Sequence, residues 1–86
     1  MDIRFRSRYI KQYNKLQKKD KVAVSKAIDI FEDNPFDPVL RNHALKGGLS
    51  GYRSIDAGFD LRILFNEENG YEIVNIVQVG SHNQIY

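Results

Sequence analysis

The chain has 86 residues, of which 42% are hydrophobic and 12% aromatic, so it is long enough for one small domain and too short for two. It contains no cysteine and two histidines, which excludes disulfides, thiolate catalysis and a cysteine-based zinc site, and we predict neither a metal nor a cofactor. The formal net charge of +2 hides an asymmetry, because residues 1–26 contain nine Lys or Arg against two Asp, whereas residues 27–86 contain four Lys or Arg against nine Asp or Glu.

The first predicted element is a strand over residues 2–6. Ile3 and Phe5 alternate there with Arg4 and Arg6, which is the pattern of a half-buried strand. The arginines of this strand begin the basic front third of the chain. Such a region attracts phosphate backbones, although lysines on a solvated helix surface have the same composition.

Two amphipathic helices are predicted next, and their adjacency favours an antiparallel hairpin. Ser7 is a suitable N-cap for the first helix and Asp20 for the second, which Asn34-Pro35 ends. The apolar positions of the first helix are Tyr9, Ile10, Tyr13 and Leu16, and its basic ones include Lys11, Lys15, Lys18 and Lys19. The buried stripe of the second helix is Val22 or Val24, Ala27, Ile28 and Phe31.

From residue 36 the sequence is rich in glycine turns and β-forming residues. A short strand is predicted near 43–47 and longer ones at 51–57, 60–66 and 71–79, with a hairpin turn at "NEENG" in which Gly70 takes a positive φ. The main elements then follow the order β-α-α-β-β-β. We expect one α+β domain over the whole chain, with a two-helix hairpin packed on one face of a mainly antiparallel four-stranded sheet. No apolar run is long enough to cross a bilayer and the N-terminus lacks a secretory signal, so we expect a cytoplasmic protein without a membrane partner.

The C-terminal segment "VGSHNQIY" contains one of the two histidines. His82 and Tyr86 are four residues apart and share a face if the segment forms a helical turn. The other histidine, His43, precedes the turn at Gly47-Gly48. A nuclease without a metal needs cations to polarise the phosphodiester and His, carboxylate, Lys or Tyr groups to move protons. A solvated tail histidine and a tyrosine that fills the core are the structural alternatives.

Two strand arginines complete the set of candidate residues. Arg53 and Arg62 lie on successive predicted strands, and pairing through the turn at 56–59 brings them close to register, with Asp60 at the start of the second strand. Both arginines are also plausible outward-facing residues paired with nearby carboxylates. The residue inventory permits catalysis without requiring it.

The segment "NHALKGGLSGYRSIDAGFDLRILF", followed by "VQVGSHNQIY", resembles toxins of the RelE/ParE superfamily, most closely the YafQ-like branch. The shared motifs are His-x-Leu-x-Gly, Gly-Tyr/Phe-Arg, an Asp that opens the next strand, and a terminal Gly-Ser/Thr-His-x-x-Leu/Ile-Phe/Tyr. The motifs cover residues 40–86, and the predicted order of elements agrees with the family over the whole chain.

This resemblance implies a type II toxin that cuts mRNA in the ribosomal A site by metal-independent attack of the 2′-hydroxyl. The implied partners are a cognate antitoxin, the ribosome and mRNA, with operator DNA contacted only through the antitoxin complex. By position, His82 is the general acid or base and Tyr86 orients the 2′-hydroxyl or stacks on a base, while His43, Asp60 and Arg53 match further catalytic positions. The expected RNA-binding residues are Lys46, Arg62, Lys11, Lys15, Lys18 and Lys19.

Three positions depart from the YafQ-like pattern. Asp56 stands where the branch commonly has a histidine, Gln78 where it has an arginine, and Leu61 where it has a large or apolar residue. A carboxylate near a phosphate repels it, and a missing cation slows the reaction, unless Arg62 faces the cleft rather than the helices. The alternatives are therefore a ParE-like toxin that inhibits gyrase by protein contact, and a weakened toxin that acts mainly by binding its antitoxin.

Overall fold

The computed structural model describes residues 1–86 and contains five strands and three α-helices. The strands are β1 (Asp2–Phe5), β2 (His43–Ala44), β3 (Arg53–Ala57), β4 (Leu61–Glu68) and β5 (Ile73–Ser81). The helices are α1 (Ser7–Asn14), α2 (Lys18–Asp33) and α3 (His82–Ile85). The predicted α+β class and the order of the main elements are confirmed. The sheet has five strands rather than four, because the short segment β2 pairs with β3.

All five strands belong to one sheet in the order β1-β5-β4-β3-β2. Strand β1 pairs in parallel with β5, and the other neighbours are antiparallel. In the β3–β4 pair, Arg53 lies opposite Phe65 and Arg62 lies opposite Asp56. The expected near-register pairing of Arg53 with Arg62 is therefore wrong. Because side chains alternate along a strand, the observed register sends the two arginines to opposite faces of the sheet.

The core lies between α1, α2 and one face of the sheet. Phe31 of α2 is fully buried and packs edge-on against Phe65 of β4, with ring centroids 4.9 Å apart. Of the two alternatives for the stripe of α2, Val24 is buried, whereas Val22 is 60% exposed. The strand residues of this core are Ile55, Ala57, Ile63, Phe65, Val74, Ile76 and Val79.

The two helices begin earlier than the capping signals predicted. Arg6 is the N-cap of α1 and Gln17 that of α2, and neither side chain makes a capping hydrogen bond. Ser7 is instead the first residue of α1, and Asp20 lies in the first turn of α2, where a carboxylate interacts favourably with the helix dipole. The predicted end of α2 before Pro35 is confirmed. None of the helices is long and apolar enough to cross a membrane.

A bulge in β5 determines what the end of this strand presents to each face. Leu64 pairs with Gln78 and Phe65 pairs with Ile76, so Val77 has no partner in β4. The extra residue lets Ile76 and Val79 both point into the core although they are three positions apart. Beyond the bulge, Gly80 lies opposite Arg62. Both residues face the side of the sheet opposite α1 and α2.

Candidate active site

The C-terminal segment forms a helical turn, which is the condition under which His82 and Tyr86 were expected to share a face. Ser81 caps α3 through a capping box, in which its Oγ accepts from the Gln84 backbone N–H and its own backbone N–H donates to Gln84 Oε1. A Cβ added at Gly80 would lie 2.9 Å from Gln84 Oε1, so the turn packs closely on the end of β5. His82 and Tyr86 share a face, with ring centroids 4.6 Å apart in an edge-on arrangement.

A groove of about 600 Å³ separates this tail from the segment that contains the His-x-Leu-x-Gly motif. His82 does not line the groove itself but packs against Tyr86, which does. The structure thus brings Tyr86 together with His43 and Lys46, residues far away in sequence. The lining residues are His43, Leu45, Lys46, Gly48, Leu49, Ile85 and Tyr86.

The backbone fixes the tautomer of His43. Its Nδ1 lies 2.8 Å from the carbonyl oxygen of Arg41. Because a carbonyl oxygen only accepts, Nδ1–H is the donor, and Nε2 of the neutral ring carries the free lone pair. The ring is exposed, so Nε2 is available to take a proton from a bound substrate.

Asp56 lies between two arginines on the face of the sheet that lacks α1 and α2. Its Oδ1 is 3.1 Å from Arg62 Nε and its Oδ2 is 3.5 Å from Arg41 Nε. The cross-strand partners of Arg62 are Asp56 and Gly80, so Arg62 lies on the face of the sheet opposite α1 and α2. Arg41 was not among the residues predicted from the sequence. It has a left-handed backbone conformation, with φ of 51°, and an arginine gives no indication of such a conformation in the sequence.

Besides His82, two further predicted catalytic residues, Arg53 and Asp60, do not line the groove. Arg53 lies on the helix-bearing face, where its Nε–H donates to Asn42 Oδ1 at 2.8 Å and its guanidinium sits over the Phe36 ring. Asp60 belongs to the turn before β4 and is exposed. It lines a separate hollow of about 520 Å³, together with Gln84 and two helix lysines.

The predicted RNA-binding lysines of the helices occupy more than one surface. Lys15 and Lys19 line the hollow that contains Asp60, whereas Lys18 lies on the exposed side of α2 with Lys21. Lys11 is exposed in the last turn of α1. The basic front third is therefore a broad surface around the helices rather than one cluster.

A second groove, of about 370 Å³, lies between α1, α2 and the end of β1. Burial raises the pKa of Tyr9 to about 12, and the neighbouring Tyr13 adds to the shift. Phe5, Tyr9 and Tyr13 form a ladder with ring centroids 5.3 and 5.8 Å apart. The groove is lined by Phe5, Tyr9, Ile10, Tyr13, Ser25, Ile28 and Asp29.

Metal ligands do not converge anywhere in the chain, since no group of three His, Cys, Asp or Glu side chains is close enough to hold an ion. The chemistry that the groove supports is proton transfer by imidazole next to a lysine and a phenol. Such a set acts on a phosphodiester when the substrate supplies its own nucleophile.

Comparison with known proteins gives one family and several solved structures of the same fold. YafQ from E. coli strain BL21(DE3) superposes with a TM-score of 0.82 at 18% identity, covering 99% of this chain and 97% of that one. YafQ in the E. coli DinJ–YafQ toxin–antitoxin complex gives 0.79 at 20% identity, with 99% and 96% covered. The YoeB/ParE toxin from Agrobacterium tumefaciens gives 0.76 at 19% identity, with 95% and 99% covered.

At these identities the structural likeness shows the fold alone. A comparison with curated protein sequences gives no match. The family model described as the YafQ bacterial toxin of type II toxin–antitoxin systems matches residues 1–86. Because this match spans the whole chain, the protein belongs to the YafQ family of type II toxins.

Proposed function

We propose that this toxin is an endoribonuclease that cuts mRNA on the ribosome by metal-independent acid–base chemistry. The observation that carries the proposal is the groove in which Tyr86 of the tail lies beside His43 and Lys46, with His82 packed against Tyr86. These residues come from two distant motifs of the sequence, and they supply the groups that such a reaction needs.

In the proposed reaction the 2′-oxygen of the substrate attacks the adjacent phosphorus. A P–O2′ bond forms and the P–O5′ bond breaks, which leaves a 2′,3′-cyclic phosphate and a 5′-hydroxyl. One group takes the 2′ proton and another gives a proton to the 5′ oxygen. His82 and His43 perform these two transfers, while Lys46 stabilises the negative charge on the phosphorane and Tyr86 orients the 2′-hydroxyl or stacks on a base.

Arg53 and Asp60 contribute differently in this proposal. Arg53 is a positioning residue, because it holds Asn42, the residue before His43, from the far side of the sheet. A catalytic role for Asp60 stays a prediction, since its carboxylate lies in the hollow beside Gln84. The lysines around α1 and α2 bind ribosomal RNA through phosphates, with an affinity that falls as salt rises.

Primer extension on a reporter transcript tests the proposal in a bacterial host that expresses the toxin. We expect cuts inside the open reading frame, and we expect them to disappear from a matched transcript whose start codon is removed. Cuts in both transcripts would contradict the ribosome dependence. Intact mRNA with growth arrest would favour inhibition of gyrase by protein contact, and intact mRNA with normal growth would favour a toxin that only binds its antitoxin.

The antitoxin is proposed to dock an amphipathic acidic segment on the groove between α1 and α2. The lining of this groove is mostly apolar, and Lys18, Lys21 and Lys26 flank it on α2. Such a surface fits a segment with apolar residues on one face and carboxylates on the other. In the DinJ–YafQ structure the E. coli toxin is seen in complex with its antitoxin.

Binding kinetics with the antitoxin encoded beside this toxin test the docking surface. We expect the association rate constant to fall steeply between low and physiological salt, because the lysines steer the encounter. Ile10→Asp, which places a carboxylate in the groove, should weaken the complex by at least about tenfold. Val39→Asp is the matched control, since Val39 is 62% exposed and lies outside the groove. Equal effects of the two variants, or an association rate insensitive to salt, would contradict this docking mode.

A further inference from the structure

Arg41, Asp56 and Arg62 form the most buried ion-pair cluster of the molecule. The side chain of Asp56 is 13% exposed and that of Arg62 is 19% exposed, whereas that of Arg41 is 76% exposed. One carboxylate therefore faces two guanidinium groups, and the cluster has a net charge of +1. The unbalanced charge lies on Arg41, which is the member open to solvent.

Both arginines keep donors that the protein does not use. Arg62 forms an ion pair with Asp56, with Nε 3.1 Å from Oδ1, and donates from Nη1 to the Leu61 carbonyl oxygen at 3.0 Å. Its Nη2 has no hydrogen-bond partner in the protein. Arg41 has Asp56 as its only charged partner and makes no side-chain hydrogen bond. The planar fork of an arginine suits two oxygens of a phosphate, so these free N–H groups are anion-binding donors.

The cluster is joined to the candidate active site at two points. The Arg41 carbonyl oxygen accepts the hydrogen bond that sets the tautomer of His43. Arg62 lies opposite Gly80, the residue on which the C-terminal turn packs, two positions before His82. These two contacts place the cluster next to the segments that contain His43 and His82.

We infer that Arg41 and Arg62 form a phosphodiester-binding subsite for the RNA strand, and that Asp56 is the positioning residue that holds their guanidinium groups. The inference rests on the proposed nuclease function. It gives a role to the residue that departs from the YafQ-like pattern, because the Asp56 carboxylate is neutralised by its two partners and does not face a phosphate alone. It also provides the cation that Gln78 lacks.

The subsite is tested by the salt dependence of RNA binding. The probe is a short single-stranded oligonucleotide with 2′-O-methyl riboses, which cannot be cleaved. We expect Arg41→Gln to lower the slope of log K against log salt by about 0.7, the value for one phosphate contact on a single strand. Arg41→Lys keeps the charge and should restore the slope. Arg4→Gln is the control, since Arg4 is an exposed arginine on β1 paired with Asp2.

Asp56→Asn tests whether Asp56 holds the two guanidinium groups in place or only repels the phosphates of the RNA. If the carboxylate holds the arginines, the variant should bind the probe at least as tightly as the wild type, while kcat on ribosome-bound mRNA falls and KM does not rise. A kcat that rises would show that Asp56 only repels the substrate, and would overturn its positioning role. Equal salt slopes for Arg41→Gln and Arg4→Gln would overturn the subsite.

The experiments distinguish a wrong assignment of the phosphate subsite from a wrong assignment of nuclease activity. The binding measurement uses an oligonucleotide that cannot react, so a lowered slope for Arg41→Gln supports the subsite even if no transcript is cut. Cleavage of mRNA together with unchanged slopes would leave the nuclease standing and remove the subsite.

Discussion

Replacement of His82 by alanine is expected to lower the rate of mRNA cleavage by about 10²–10⁴-fold, the range for loss of a general acid or base. The imidazole packs against Tyr86, and α3 contains no other titratable side chain. Single-turnover cleavage on purified ribosomes programmed with a defined mRNA measures the effect. The loss should appear in the rate of the chemical step, with little change in the affinity of the toxin for the ribosome.

Asn83→Ala is the matched control for His82→Ala, because Asn83 is the next residue of the same turn and is exposed. We expect Asn83→Ala to cleave at the wild-type rate. Circular dichroism should show that both variants keep the wild-type fold. A His82→Ala variant that cleaves within threefold of the control would remove His82 from the catalytic site, and toxicity that survives without cleavage would point to a protein target.

The largest expected effect on stability is that of Phe31→Ala. Phe31 is fully buried at the centre of the core, edge-on to Phe65 and with its ring centroid 6.0 Å from that of Tyr71. Its truncation removes apolar surface and leaves a cavity between α2 and the sheet, so the free energy of unfolding should fall by about 3–5 kcal/mol. Small domains have about 5–15 kcal/mol in total, so this loss removes a large part of the stability.

Phe59→Ala is the matched control for the core variant. Phe59 stands in the turn between β3 and β4 and is 101% exposed, so its removal should leave the urea midpoint almost unchanged. Equilibrium unfolding in urea, with both variants measured beside the wild type, gives the comparison. A Phe31→Ala variant with the same midpoint as Phe59→Ala would contradict the assignment of Phe31 to the centre of the core.

Much of this fold was predictable because periodicity in the sequence reports burial. The alternation of Leu61, Ile63 and Phe65 with Arg62 places the first three on the core side of β4, as the structure confirms. The hairpin turn with Gly70 at positive φ was also predicted correctly, and the C-terminal segment forms the helical turn on which the expected shared face of His82 and Tyr86 depends. These features depend on local sequence, and local sequence is what a single chain reveals.

Features that depend on long-range pairing were not predictable. The register between β3 and β4 separates Arg53 from Arg62, and residue types alone do not specify which of several near-equivalent registers forms. The bulge at Val77 is likewise a property of the β4–β5 pair. The predicted helix caps were wrong for another reason. Ser7 and Asp20 are residue types that often cap helices, but burial of the apolar stripes determines where these helices begin.

In the candidate site, too, local contacts were predictable from the sequence and long-range contacts were not. The i,i+4 spacing of His82 and Tyr86 predicted their contact, because both belong to one turn. The proximity of Tyr86 to His43 was expected only from the family resemblance, since the groove joins segments that are distant in sequence. The sequence predicted that the Asp56 carboxylate would repel a phosphate, because its two arginine partners come from different parts of the chain and their contacts are visible only in the structure.

The pairing of β1 with β5 determines how early in synthesis the sheet of this protein can be completed. Within the sheet, residues 2–5 pair only with residues 73–76, so the first strand synthesised stays unpaired until nearly the whole chain has emerged. Contacts between such distant segments form late and slowly. The helical turn α3 follows β5 directly, so it packs on the sheet only after β5 has formed. This topology makes the candidate site at the C-terminal turn one of the last parts of the fold to assemble.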